Sequence, residues 1–188
     1  MLAAAREVFA ERGIDAPMTA VARRAGVGPA TLYRHFPTRT DLLRDAFADQ
    51  TAACRAALTT AVADPDPWHG FRGLFEELCR LQRAERGFPA AFLAAFPAEA
   101  SAHARVREEA EHDLAGLVRR AKTAGLRADF APADLIAALL AHGGLITALP
   151  EDERASRRLA AHLLDGFRAR PGQERLPPPG PLDLRVLL

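Results

Sequence analysis

Apolar side chains along this chain recur at intervals of three and four residues, and nowhere do they alternate at two for long enough to build a sheet. That spacing gathers apolar groups on one face of a helix, so the predicted class is all-α with about nine helices. Leu2, Ala5, Val8 and Phe9 make one stripe, and Gly13 is placed to end that helix in a left-handed cap. Pro17 suits a first-turn position of a second short helix, which carries Val21 and Ala22 inward before Ala25-Gly26-Val27 turns the chain. Gly28 and Pro29 open a third helix with Leu32 and Phe36 four apart on its buried side, and Pro37 ends it. Thr38 and Asp41 have the spacing of a shortened capping box. From there an apolar face through Leu42, Leu43, Phe47, Cys54, Leu58 and Val62 continues until Asp64-Pro65-Asp66-Pro67 breaks it. The pattern predicts one unbroken helix over 39–63, about 25 residues and roughly 37 Å long, able to join two domains.

Beyond the break the periodicity predicts helices over 68–86, 88–96, 101–124, 132–149 and 152–170. Pro177-Pro178-Pro179-Gly180-Pro181 cannot be helical, so 171–188 is expected to be a mobile or extended tail whose apolar end could dock. The expected organisation is a small helical unit at 1–47, a larger helical unit at 48–170, and the Pro-rich tail.

Of the 188 residues 49% are apolar and 26% charged, which fits a folded core rather than disorder. Apolar runs such as 135–141 are too short for a membrane span or a secretory signal, so a cytoplasmic location is expected. Cys54 and Cys79 lack the spacing of a zinc site or a disulfide framework and are expected reduced and buried. No His-Glu-x-x-His, Gly-x-Ser-x-Gly or phosphate-binding glycine loop is present. Glu109 and His112 have a di-iron spacing but no second copy, and read as a salt-bridged surface. No catalytic residue, metal or cofactor is expected, and the chain is not read as an enzyme. The net charge of +1 excludes a uniformly basic nucleic-acid binder. The balance is uneven, however: 16–40 carries Arg23, Arg24, Arg34 and Arg39 and no acid, whereas 108–113 is acidic.

Two short helices joined through Gly26, the second burying Leu32 and Phe36, form a helix-turn-helix, which can present its second helix to the major groove. Ala30, Thr31 and Arg34 point away from the buried pair and can reach bases; Tyr33, His35 and Arg39 suit phosphates. The run from Val21 to Leu43, with Ala-Arg-Arg-Ala-Gly-Val-Gly-Pro-Ala-Thr-Leu-Tyr-Arg-His-Phe at its centre, is preceded by Ala3 to Gly13. Together these segments closely resemble the DNA-binding domain of the TetR family of bacterial transcriptional regulators. The resemblance implies a homodimer over a palindromic operator on double-stranded DNA, acting as a repressor and released by a small-molecule effector. It also implies DNA contacts at Thr19, Gly28, Pro29, Ala30, Thr31, Tyr33, Arg34, His35 and Arg39. The chain departs from the family at Pro17, where Ser or Thr is common. The family's usual basic arm precedes the first helix, in which this sequence begins.

Farther on, Trp68, Phe71, Phe75, Phe88, Phe92 and Phe96 gather within a short span. They read either as core or as the lining of an apolar ligand site with Cys79, Gln82, His103 or His142 as its polar groups. Leu139, Gly143 and Ile146, with Leu159, Leu163 and Phe167, give two apolar helix faces suited to a four-helix dimer interface. A helical ligand-binding or interaction protein with weak or lost DNA binding is the alternative reading.

Overall fold

A computed structural model describes residues 1–13, 15–84 and 101–180, and within 101–107 only the side chain of Arg105. Over these residues there are nine α-helices and no strand. They are α1 Leu2–Arg12, α2 Met18–Arg24, α3 Pro29–His35, α4 Arg39–Ala46, α5 Ala48–Ala63, α6 Pro67–Ala84, α7 Ser101–Lys122, α8 Pro132–Ala148 and α9 Glu153–Phe167. The helix expected over 88–96 lies outside the described residues.

The helix ends follow the local chemistry. Thr38 and Asp41 close a reciprocal capping box at α4, each backbone N–H donating to the other's side chain at 3.1 Å. At the end of α2, Gly26 takes φ +68, Val27 N–H donates to the Ala22 carbonyl at 3.0 Å and Gly26 N–H to that of Arg23 at 3.3 Å. This Schellman arrangement pairs the Ala22 and Arg23 carbonyls and reverses the chain into α3. Two details differ from expectation. Pro17 stands at the N-cap of α2, one position before its first turn, and Gly13 has positive φ but an extended ψ of 169°.

The helix expected over 39–63 is divided at Phe47, whose φ of −118° and ψ of 21° leave the helical range. No proline or glycine causes this. Phe47 is drawn into the core beneath α1, where its ring lies 6.4 Å from that of Phe9. The Arg6 guanidinium meanwhile donates to the Ala46 carbonyl at 3.0 Å. The break is tertiary, which is why periodicity alone does not reveal it.

Two apolar clusters fill the molecule. One gathers Val8, Phe9, Val21, Leu32, Leu42 and Phe47 with Cys54 of α5 and Leu81 of α6. The other holds Ala61, Phe71, Phe75, Leu117, Leu126, Phe130 and Leu135, with Phe167 packed against it. Both α5 and α6 therefore cross from one cluster to the other, and the link is a helix pair rather than one long helix. The pair is clasped at its turn. Asp66 accepts from the backbone of Trp68 and His69 at the start of α6, and Arg120 of α7 donates to the Val62 and Asp64 carbonyls at 2.6 and 2.7 Å. Gly70 is required here, since a Cβ would run into the Ala61 carbonyl.

The described residues after α9 form no further helix and are tied down through residue 176. Leu126 and Arg168 form an isolated antiparallel bridge. Buried Arg127 donates to Asp129 and to the Glu174 carbonyl, and Leu176 N–H donates to Asp129 at 2.7 Å. These bonds hold the Asp129 carboxyl far below the usual carboxylate range, the Arg127 guanidinium contributing most.

Candidate nucleic-acid interface

The second helix of the helix-turn-helix is α3, and its placement rests on two side chains. Leu32 is fully buried and Phe36 nearly so; burying one such side chain stabilises by about 1.5–3 kcal/mol. With that face fixed, the rest of the seven-residue helix turns outward. Gly28, Pro29, Ala30, Arg34 and His35 are exposed, Tyr33 is 47% exposed and Thr31 is half-buried. Thr19 is exposed on α2, and Arg39 begins α4 with its guanidinium 3.3 Å from Asp15. The nine expected contact positions thus share the outer surface of α2, α3 and the start of α4. Gly28 has φ −67° and open space where a Cβ would stand, so neither backbone conformation nor packing requires glycine there.

The four arginines of the acid-free stretch differ in use. Arg24 is held by Glu7 at 2.8 Å and Glu11 at 2.6 Å, tying α2 to α1. These contacts raise its pKa and lower that of Glu11. Arg23 and Arg34 are exposed and form no ion pair among the described residues. A count of basic residues could not make this division, because Glu7 and Glu11 lie a helix away in sequence.

Of the residues considered for a ligand site, Phe92 and Phe96, and the side chain of His103, lie outside the described residues. Phe71 and Phe75 are fully buried and Cys79 nearly so. Phe71, Phe75, Phe130 and Phe167 meet edge to face, with centroids 4.9 to 6.2 Å apart. Trp68 stacks on Phe71 at 6.0 Å beneath the Arg168 guanidinium, and its buried indole N–H has no acceptor among the described residues. Burial raises both cysteine thiols to about 12, so they stay protonated.

His142 is fully buried between three helices. Gln82 of α6 donates to the Leu139 carbonyl at 3.0 Å, which turns its Oε1 to His142 Nδ1 at 2.7 Å. Nδ1 therefore carries the proton, and Nε2 accepts from the Ser156 hydroxyl at 2.9 Å. Desolvation, followed by the charge of Arg83, lowers the His142 pKa and keeps the ring neutral. Nothing in the sequence points to Ser156, since a lone serine in a first helical turn gives no signal.

Among the expected interface residues, Ile146 is only 6% exposed within one subunit and faces inward. Leu139, Leu163 and Phe167 are half-buried against the second cluster, while Gly143 and Leu159 are half-buried on α8 and α9. The side of α8 that faces out carries Leu140, Ala141, Gly144 and Ala148, positions three and four apart on one stripe. Periodicity identifies the helices but not which of two apolar sides each subunit covers.

Residues 1–46 match the model for bacterial regulatory proteins of the TetR family, and residues 66–169 match that for the C-terminal domain of SbtR-like transcriptional regulators. No curated protein sequence matches the chain. Among solved structures, the TetR transcriptional regulator SCO0520 from Streptomyces coelicolor is 32% identical, with 89% of this chain and 95% of that one covered and a TM-score of 0.51. The ketosteroid transcriptional regulator KstR2 of Mycobacterium tuberculosis shares the fold at 16% identity, covering 90% and 93%, with a TM-score of 0.60. So does FadR from Bacillus subtilis, solved in complex with stearoyl-CoA, at 15% identity, 89% and 97% coverage and a TM-score of 0.59. With its recognition helix, the helix pair leading from it and both family domains matched in order, the chain belongs to the TetR family of bacterial transcriptional regulators.

Proposed function

We propose that the chain acts as a cytoplasmic repressor, binding a palindromic operator as a homodimer and released by a small apolar or amphipathic effector. The observation that carries this reading is the division of labour on α3: Leu32 and Phe36 hold the helix, while Ala30, Tyr33 and Arg34 project outward, their side chains making no hydrogen bond or ion pair among the described residues. Residues 1–47 form the DNA-binding unit and 48–170 the effector and dimerisation unit, followed by the tail at 171–188. Arg34 pairs with guanine or phosphate, Ala30 and Thr31 meet base edges, and Thr19, Gly28, Pro29, Tyr33, His35 and Arg39 fix the module on the backbone. Dimerisation uses α8 and α9, with Leu140, Ala141 and Gly144 at its centre alongside Gly143 and Leu159. The effector class rests on fold-level analogy with the stearoyl-CoA complex and on the apolar surroundings of Trp68, whose indole N–H lacks an acceptor among the described residues. Effector release works if the ligand favours a state in which the two recognition helices no longer match successive major grooves, about 34 Å apart. The test is a mobility-shift titration with the promoter region of the protein's own gene. Specific retardation is expected, and binding no tighter than to an unrelated duplex overturns the reading.

A further inference from the structure

Between the end of α1 and α2 lies a cleft of about 310 Å³ lined by Val8, Arg12, Ala20, Arg23 and Arg24. Val8 and Arg12 are one turn apart on α1, and Thr19 and Arg23 one turn apart on α2. The cleft therefore opens beside the face of α2 that bears Thr19. Arg24 is committed to Glu7 and Glu11, which also absorbs the acids nearest the cleft. Arg12 and Arg23 are exposed and pair with no acid among the described residues. Each stands in the last turn of its helix, where a cation gains roughly 0.3–1 kcal/mol from the dipole. That explains either arginine alone, not the presence on the walls of one cleft of two arginines that form no ion pair among the described residues, whose like charges favour an anion between them.

We infer that this cleft is a phosphate-binding site that Arg12 and Arg23 add to the DNA surface, beyond the contacts of the recognition helix and resting on the DNA-binding reading above. The first helix of a helix-turn-helix crosses the nucleic-acid backbone, so the exposed side of α2 faces phosphate oxygens. The guanidinium fork matches phosphate geometry, and small Ala20 leaves room for the group to approach. Such a site carries no sequence information; it anchors the module on any duplex and sets its register before bases are read.

The experiment measures affinity of the full chain for a labelled random-sequence duplex across a salt series, for wild type, Arg12→Gln, Arg23→Gln and the double variant. Arg158→Gln, an exposed arginine on α9, controls for a change in overall charge. Removing one phosphate-neutralising arginine should flatten the slope of log K against log salt by about 0.9. The two single variants should each show this, the double variant about twice as much, and Arg158→Gln should match wild type. Unchanged melting temperatures confirm that the fold is intact. Unchanged slopes in Arg12→Gln and Arg23→Gln, or an equal flattening in Arg158→Gln, overturn the inference while leaving recognition through α3 standing. Absence of duplex binding by wild type overturns the DNA-binding reading itself. Calorimetry with inorganic phosphate separates sources: saturable binding that disappears in the double variant, with duplex slopes unchanged, makes the cleft a free-anion site and overturns its role on DNA.

Discussion

At the scale of single residues, the recognition module separates side chains that build the fold from those left over. Leu32 and Phe36 belong to the first group, and Arg34 and Tyr33 to the second. Gly28 belongs to neither by conformation or packing, and the remaining physical reason for a missing side chain is close approach by something outside the chain. Gly28→Ala is therefore expected to cost less than about 1 kcal/mol of stability, the scale of a changed N-cap. Operator affinity should nevertheless fall by about tenfold or more, equivalent to about 1.4 kcal/mol. Thermal melting and a binding titration on the same preparation check both halves; equal affinity would show that no backbone comes near α3's first turn.

At the scale of elements, the contrast between α4–α5 and the remaining helices shows what periodicity can and cannot read. Caps and breakers are local, so Thr38 with Asp41, Gly26, Pro67 and the Asp-Pro turn fix helix boundaries from sequence alone. The break at Phe47 depends on Phe9 and Arg6, some forty positions away, and no local pattern contains it. The same holds for His142: its row on α8 is visible in the sequence, but Gln82 and Ser156, which satisfy it, come from α6 and α9. The buried and exposed sides of α3 are legible because they lie within one short run; the outward side of α8 is not, because Ile146 and Leu140 differ only in which side the subunit covers. The His142 cluster makes a pH prediction. A histidine whose pKa is lowered by folding contributes stability that is complete above its unfolded value of about 6.5 and is lost as pH falls below it, because the unfolded chain takes up the proton more readily. His69 acts oppositely: hydrogen bonding to Asp64 raises its pKa, so its contribution is complete at low pH and lost as pH rises through the raised value. Denaturation of wild type and His142→Gln between pH 8 and 5, approximately the range of histidine titration, should show a smaller acid-side loss in the variant. Parallel curves would show that His142 does not couple folding to pH.

At the scale of the whole molecule, the paired crossing of α5 and α6 between the two apolar clusters would give the proposed effector two routes to the N-terminal unit. A shift of the aromatic group around Phe71 and Phe75 would reach that unit through Leu81 as well as through Cys54. The matching assembly prediction concerns α8. Leu140→Glu, on the outward stripe, should give monomers with unchanged helical content, since Leu140 is 37% exposed in one subunit. Ile146→Glu, buried within the subunit, should instead unfold it. Sedimentation and circular dichroism distinguish the two, and a dimer that survives Leu140→Glu unaltered places the interface elsewhere.

The role proposed for α3 is to read DNA with side chains that the fold does not need. Fluorescence anisotropy with the promoter region of the protein's own gene, comparing wild type with Arg34→Ala, tests it most directly. The variant should lose about 1–3 kcal/mol of binding, roughly 5-fold to more than 100-fold in affinity, and its melting temperature should not move. Wild-type affinity in Arg34→Ala, or a loss of binding that merely follows a loss of stability, would overturn that role.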